Sequence, residues 1–115
     1  MSEKVKELRS IEDLDATIAE SGVRPVLLFK HSRTCPISAR AYREFREYLE
    51  SAAPNVSHAL ITVQTDRPVS NEAADRLGVR HETPQAILIR DGRQVWNDSH
   101  FAITAAKLRE VTGSL

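Results

Sequence analysis

The chain has 115 residues, of which 41% are hydrophobic and 28% are charged, and its 16 basic and 16 acidic side chains give zero formal net charge. This length and composition predict one globular domain over residues 1–115. The balanced charge gives no indication of binding to nucleic acid or anionic membrane, and no segment approaches the ~20 apolar residues of a membrane span. A polar N-terminal segment and a single cysteine, which cannot form an internal disulfide, predict a cytoplasmic protein.

Helical and strand patterns alternate along the first half of the chain. A helix is expected to begin at Ser10, where Asp13 three residues later resembles a capping box, and to end near Gly22. The segment VLLFK (26–30) is apolar on both faces, as in a strand buried inside a mostly parallel sheet. The next helix is expected to begin at Cys35-Pro36, because proline suits the first helical position.

The second half predicts two more helices and three more strands. HALITV (58–63) is a buried strand, and Ser70 is expected to cap a helix that runs to Leu77 and closes at Gly78. The strand segments QAILI and RQVWN flank Asp91-Gly92, a strong hairpin signal, and Thr104 is expected to cap the last helix. This order predicts an α/β fold in which a four-stranded mixed sheet has helices on both faces.

The only cysteine, Cys35, lies between the end of a buried strand and the start of a helix. Unpaired backbone N–H groups and the helix dipole favour negative charge at such a position, and the thiolate is the reactive form of cysteine. Lys30, His31 and Arg33 add positive charges nearby. These features indicate a reactive nucleophile in preference to an inert core thiol.

Ser38 stands three residues after Cys35, where a dithiol oxidoreductase has its second cysteine in a C-x-x-C motif. A serine hydroxyl can donate a hydrogen bond to a thiolate but cannot form a disulfide with it. A site of this kind can carry a mixed disulfide, which a thiol from outside must then release.

Over nearly its whole length the chain resembles a thioredoxin-fold protein. In that fold a cis proline precedes the third core strand and faces the active-site cysteine. The resemblance therefore implies that Pro84 is this proline and that the Thr83 backbone pairs with an incoming substrate strand.

The segments FKHSRTCPIS (29–38), ETPQAILIRDGRQVW (82–96) and SHFAIT (99–104) resemble the bacterial monothiol bacilliredoxins. The T-C-P-I-S active site of that family is present as residues 34–38. The resemblance implies a thiol-disulfide oxidoreductase whose catalytic residues are Cys35, Pro36 and Ser38. It further implies that the enzyme removes bacillithiol from S-bacillithiolated client proteins. Bacillithiol is then the exchanging small thiol, no cofactor is tightly bound, and a low-molecular-weight thiol or a reductase system regenerates the enzyme.

Substrate contacts are expected from Thr34, Thr83 and Pro84. Lys30 and Arg33 are expected either to hold a carboxylate of bacillithiol or to form a solvated basic loop. No metal site is expected: His31 and Cys35 are spaced i,i+4, but no second ligand pair accompanies them. His100, in the loop before the last helix, is interpreted as a surface residue. The chain is expected to be a monomer or a weak dimer.

Two other functions remain open from the sequence. One is a non-catalytic thioredoxin-like module that binds an extended peptide at Pro84 and the rim around Cys35. The other is a one-cysteine peroxidase, in which Thr34 would belong to the cage around the reactive cysteine. Thiol exchange and hydrogen peroxide turnover are the activities that distinguish the three functions.

Overall fold

The computed structural model describes residues 5–114 and contains a single mixed sheet covered by helices. The strands are β1 (Val5–Glu7), β2 (Val26–His31), β3 (Ser57–Thr62), β4 (Gln85–Arg90) and β5 (Arg93–Ser99). The α-helices are α1 (Ile11–Glu20), α2 (Pro36–Leu49), α3 (Arg67–Leu77) and α4 (Ala105–Gly113), and a short 3-10 helix spans His100–Ala102. None of the described helices is both long enough and apolar enough to span a bilayer.

The strands lie in the order β1-β3-β2-β4-β5. β1, β3 and β2 are parallel, whereas β4 is antiparallel to both β2 and β5. The α/β class and the mixed sheet are as expected, but the expectation of four strands is wrong. The fifth strand, β1, is a three-residue edge strand with two exposed side chains. It has no hydrophobic run of its own and is held by pairing with β3.

Most of the expected helix ends and turns occur where the sequence places them. Ser10 caps α1 by accepting a hydrogen bond from the Asp13 N–H, and Thr104 caps α4 through the Lys107 N–H. Gly78 has a left-handed φ of 65° after α3. Asp91 and Gly92 have φ angles of 54° and 75°, as a tight hairpin between β4 and β5 requires.

The expected start of α3 at Ser70 is wrong. The helix begins at Arg67 with Asp66 at the N-cap, and Ser70 is a buried residue inside it. Pro68 lies in the first helical turn, where a backbone N–H would have no acceptor within the helix, so its missing N–H costs no helical hydrogen bond. The proline is therefore the signal that marks the true start.

Apolar side chains form one cluster on each face of the sheet. Leu28 of β2 belongs to the cluster under α1 and α3, whereas Leu27 and Phe29 belong to the cluster under α2 and α4. The same alternation fixes the side-chain directions of the last two residues of β2. Lys30 points toward α3 and His31 points toward α2. The last residues of β2 therefore send polar side chains to both faces of the sheet at the end where Cys35 follows.

Candidate active site

Strand register brings the cysteine loop and the cis proline to the same end of the sheet. Lys30 at the end of β2 pairs with Gln85 at the start of antiparallel β4. The loop that leads to Cys35 follows β2, and the buried Pro84 directly precedes β4. Both therefore lie at the same end of two neighbouring strands. The Thr83–Pro84 peptide bond is cis, as the resemblance to thioredoxin-fold proteins implies.

Cys35 is the N-cap residue of α2, with extended φ and ψ angles of −103° and 121°. It is a free, partly exposed cysteine whose side chain caps no backbone N–H group. Pro36 follows as an exposed residue in the first turn, where the N–H groups of Ile37 and Ser38 have no partner within the helix. The sulfur therefore lies at the positive end of a helix, on a residue that is partly exposed to solvent.

The Ser38 side chain is fully buried under the cysteine loop. Its Oγ accepts a hydrogen bond from the Ser32 N–H at 2.9 Å and lies 2.9 Å from His31 Nδ1. The hydroxyl therefore ties the start of the loop to the first turn of α2.

His31 is an aromatic packing residue in this structure. Its ring stacks on Tyr42 with centroids 4.7 Å apart. Burial, and secondly the charge of Arg33, lower the pKa of His31 below its usual value. The lowered pKa favours the neutral ring over the positively charged ring that is expected from the sequence.

Lys30 does not belong to a solvated basic loop, and that expectation is wrong. The side chain is fully buried on the α3 face of the sheet. Its Nζ donates to the Ser70 backbone carbonyl at 3.0 Å and lies 3.4 Å from His81 Nδ1. Burial lowers the pKa of Lys30 to about 8. In this position Lys30 cannot hold a carboxylate that arrives from solvent.

Thr34 and Arg33 are exposed, and Gln64 clamps the loop that carries them. The Gln64 Oε1 accepts from the Arg33 N–H at 3.1 Å, and Nε2 donates to Ser32 Oγ at 2.6 Å and to Thr34 Oγ1 at 3.1 Å. One side chain from the segment after β3 therefore contacts three successive residues before Cys35.

Thr83 and Pro84 make polar contacts with two histidines, one before them in the chain and one after β5. The Thr83 Oγ1 lies 3.2 Å from His81 Nε2, and the Pro84 carbonyl accepts from the His100 N–H at 3.1 Å. His100, interpreted from the sequence as a surface residue, has a left-handed φ of 58°, and its ring lies 3.9 Å from a carboxylate oxygen of Glu82. The loop after β5 thus packs against the cis proline.

Comparison with known proteins decides the family. The model of the family "Monothiol bacilliredoxin BrxC" matches residues 6–108, which include every site residue described above. The chain belongs to the monothiol bacilliredoxin BrxC family. Membership agrees with the T-C-P-I-S sequence around Cys35 and indicates a redox function.

Solved structures show that the chain has a thioredoxin fold. A structure described as an "oxidoreductase with a thioredoxin fold" is 34% identical, covers 95% of this chain and 94% of its own, and has a TM-score of 0.82. Fasciola hepatica thioredoxin is 19% identical, with 95% and 97% of the two chains covered and a TM-score of 0.76. Thioredoxin O2 from Arabidopsis thaliana in its oxidized state is 16% identical, with 100% and 96% covered and a TM-score of 0.77. The two thioredoxins show the fold alone.

Two residues that sequence reasoning missed, Gln64 and His81, contact the candidate site in the structure. Gln64 follows the carboxyl end of β3. Because β3 is parallel to β2, the segments that follow the two strands lie at the same end of the sheet. That topology was a usable signal for Gln64. His81 carries no comparable signal, because its neighbours come from β2 and α3.

Metal ligation finds no support in the described residues. Among residues 5–114, no three His, Cys, Asp or Glu side chains come together as a metal-binding group. His31, the potential partner of Cys35 in the sequence, has its Nδ1 beside Ser38 and its ring against Tyr42.

Proposed function

We propose that this protein removes bacillithiol, or a closely similar small thiol, from protein mixed disulfides through the thiolate of Cys35. The observation that carries the proposal is the position of Cys35. The only thiol in the chain is free, partly exposed and at the N-cap of α2, in a chain of the monothiol bacilliredoxin family. Helix N-termini favour the thiolate, which is the form that attacks disulfides.

The reaction is an exchange of one S–S bond for another. The Cys35 thiolate attacks the bacillithiol sulfur of a client mixed disulfide, the S–S bond to the client breaks, and the client leaves as a thiolate that takes a proton from water. Cys35 then carries bacillithiol as a new mixed disulfide. A second small thiol, as its thiolate, attacks the bacillithiol sulfur of this adduct, releases the Cys35 thiolate and leaves as a disulfide with bacillithiol. A reductase system can take the place of that thiol.

The neighbouring residues have separate proposed roles. Ser38 occupies the position of a resolving cysteine without offering a sulfur, and its hydroxyl holds the loop through Ser32 and His31. Pro36 starts the helix in the exposed first turn. Thr83 and Pro84 are proposed to receive the extended client segment, and Thr34, held by Gln64, is proposed to contact the substrate beside them.

The charged part of bacillithiol is proposed to contact Arg33. The exposed Arg33 lines an open cleft of about 410 Å³ together with Arg9, His31 and Asp66. An arginine guanidinium can hold a carboxylate with two parallel hydrogen bonds. Arg33 lies two residues before Cys35 in the same loop, and a small thiol bound to Cys35 is proposed to extend toward this cleft.

Client reduction tests the proposal. The protein is mixed with a bacillithiolated client in the presence of free bacillithiol, and the appearance of client thiol is followed over time. We expect the wild type to accelerate release and Cys35→Ser to give only the uncatalysed rate. A double variant, Cys35→Ser with Ser51→Cys, carries one exposed thiol away from the site and is expected to remain at the uncatalysed rate. Equal activity of that variant and the wild type would contradict the proposed site.

The same variants distinguish the two alternatives. A peptide-binding module would bind the reduced client with similar affinity in the wild type and in Cys35→Ser, without accelerating thiol release. A one-cysteine peroxidase would consume hydrogen peroxide at a rate that depends on Cys35, without needing a mixed-disulfide substrate. We expect thiol exchange with bacillithiolated clients to be the faster Cys35-dependent reaction.

A further inference from the structure

A chain of polar contacts connects the buried Lys30 to Thr83, the residue before the cis proline. Lys30 Nζ donates to the Ser70 carbonyl at 3.0 Å and lies 3.4 Å from His81 Nδ1. His81 Nε2 lies 3.2 Å from Thr83 Oγ1. A fully buried lysine is rare, and the exchange reaction described above does not use this one.

The donor groups at the Lys30 end of this series of contacts determine the direction in which its hydrogen bonds run. An ammonium group only donates hydrogen bonds, so His81 Nδ1 must accept from Lys30. The Ser70 hydroxyl, 3.4 Å from the same nitrogen, can act as a second donor to it. A neutral imidazole carries one hydrogen, which must then be on Nε2 and point to Thr83 Oγ1.

The electrostatic environment favours the two protonation states that this direction requires. Burial lowers the pKa of His81, the charges of Lys30 and Arg67 lower it further, and Glu82 opposes them, so the neutral ring is favoured. Lys30, with its pKa lowered to about 8, is still mostly an ammonium at neutral pH. The charged Lys30 and the neutral His81 that this direction requires are therefore the favoured protonation states.

We infer that Lys30 and His81 are positioning residues that set the Thr83 hydroxyl as a hydrogen-bond donor toward the client segment bearing the mixed disulfide. Because His81 Nε2–H occupies a lone pair of Thr83 Oγ1, the hydrogen of this hydroxyl points away from His81 and is free for an acceptor on the client. This inference rests on the proposed function for the contact between Thr83 and the client. The direction of the Lys30–His81–Thr83 chain is independent of that function.

The hydrogen on the His81 ring can be located by long-range ¹H–¹⁵N NMR of the wild-type protein at neutral pH, with His81→Gln used to assign the signals. We expect the hydrogen on Nε2 and a bare Nδ1. A hydrogen on Nδ1 would overturn the inference, because Nδ1 could not then accept from Lys30. The measurement needs no exchange activity, so its outcome is separate from that of the proposed function.

A double-mutant cycle tests the effect on exchange with a bacillithiolated client. Thr83→Val removes the hydroxyl and keeps the branched shape of the side chain. We expect Lys30→Met to lower kcat/KM by about three- to tenfold when Thr83 is present, the equivalent of one hydrogen bond. In the Thr83→Val background the same change should have less than about a twofold effect.

Equal losses in the two backgrounds would show that Lys30 acts only on stability and would overturn the positioning role. Thermal melts establish that each variant is folded at the assay temperature. Should Lys30→Met fail to fold, the position of the ring hydrogen in the wild-type protein decides the inference alone.

Discussion

At the scale of single residues, Ser38 determines which thiol chemistry is open to Cys35. Its buried hydroxyl contacts Ser32 and His31, and the chain has no other cysteine to form a disulfide with Cys35. A mixed disulfide on Cys35 can therefore be resolved only by a thiol from another molecule.

Ser38→Cys is expected to change this by creating a C-x-x-C motif. After transfer of bacillithiol to Cys35, the new thiol can attack the adduct, release bacillithiol and leave an internal disulfide. Intact mass spectrometry should then show the wild type with bacillithiol attached and Ser38→Cys without it, lighter by two hydrogens than its reduced form. Ser38→Ala is the control, because it alters the same buried site but adds no sulfur. A persistent bacillithiol adduct on Ser38→Cys would contradict the account.

At the scale of elements, the loop between β2 and α2 is held in shape from a neighbouring segment. Gln64, after β3, contacts the loop with both its carbonyl oxygen and its amide nitrogen. A clamp of this kind fixes the backbone that leads to Cys35 and keeps the sulfur at the start of α2.

Gln64→Ala is expected to loosen this loop and to slow client reduction by about two- to tenfold, the range that one or two net hydrogen bonds allow. Amide hydrogen exchange should be faster at Arg33, whose N–H loses its acceptor. Gln64→Glu keeps an acceptor for Arg33 but has no hydrogens to donate to Ser32 and Thr34, so the Arg33 amide should stay protected. Unchanged exchange at Arg33 in Gln64→Ala would contradict a clamping role.

How much the sequence predicts depends on whether a feature is local. The Ser10 and Thr104 caps and the Asp91-Gly92 turn were predicted correctly because each depends on a few adjacent residues. The prediction of an α3 start at Ser70 fails because Pro68 in the first turn, and not a serine cap, marks the start of this helix. Local errors of this kind could be corrected from the sequence.

Features that depend on tertiary packing could not be predicted in the same way. β1 forms because β3 offers an unpaired edge, which no property of residues 5–7 reveals. Lys30 follows an apolar run and precedes a polar loop, so the sequence does not show which face of the sheet it occupies or that His81 lies beside it. The position of Cys35 at the start of α2 was predicted, whereas the partners that surround it were not.

At the scale of the whole molecule, the buried Lys30 couples folding to pH. Its pKa is about 8 in the folded protein, below the ordinary value of 10.5. Between these two pH values the unfolded chain holds a proton that the folded protein lacks, so the free energy of unfolding should increase as pH rises through this range. The increase is at most about 3.5 kcal/mol, because the two pKa values differ by roughly 2.5 units and each unit corresponds to roughly 1.4 kcal/mol.

Urea unfolding at several pH values from 7.5 to 10.5, for the wild type and Lys30→Met, measures this contribution. All other titrating groups are common to the two proteins, so the difference between their pH slopes belongs to Lys30. We expect the wild type to gain stability relative to Lys30→Met as pH rises. Parallel pH curves for the two proteins would show that Lys30 keeps its ordinary pKa and would contradict the burial of its charge.

The most direct test of the central claim is to find where bacillithiol goes after reaction with a client. The reduced protein is mixed with an equal amount of a bacillithiolated client, alkylated within seconds and analysed by peptide mass spectrometry. We expect bacillithiol on Cys35 and a matching amount of free client thiol. If Cys35 is instead recovered fully alkylated while the client keeps its bacillithiol, Cys35 is not the acceptor and the proposed exchange reaction is wrong.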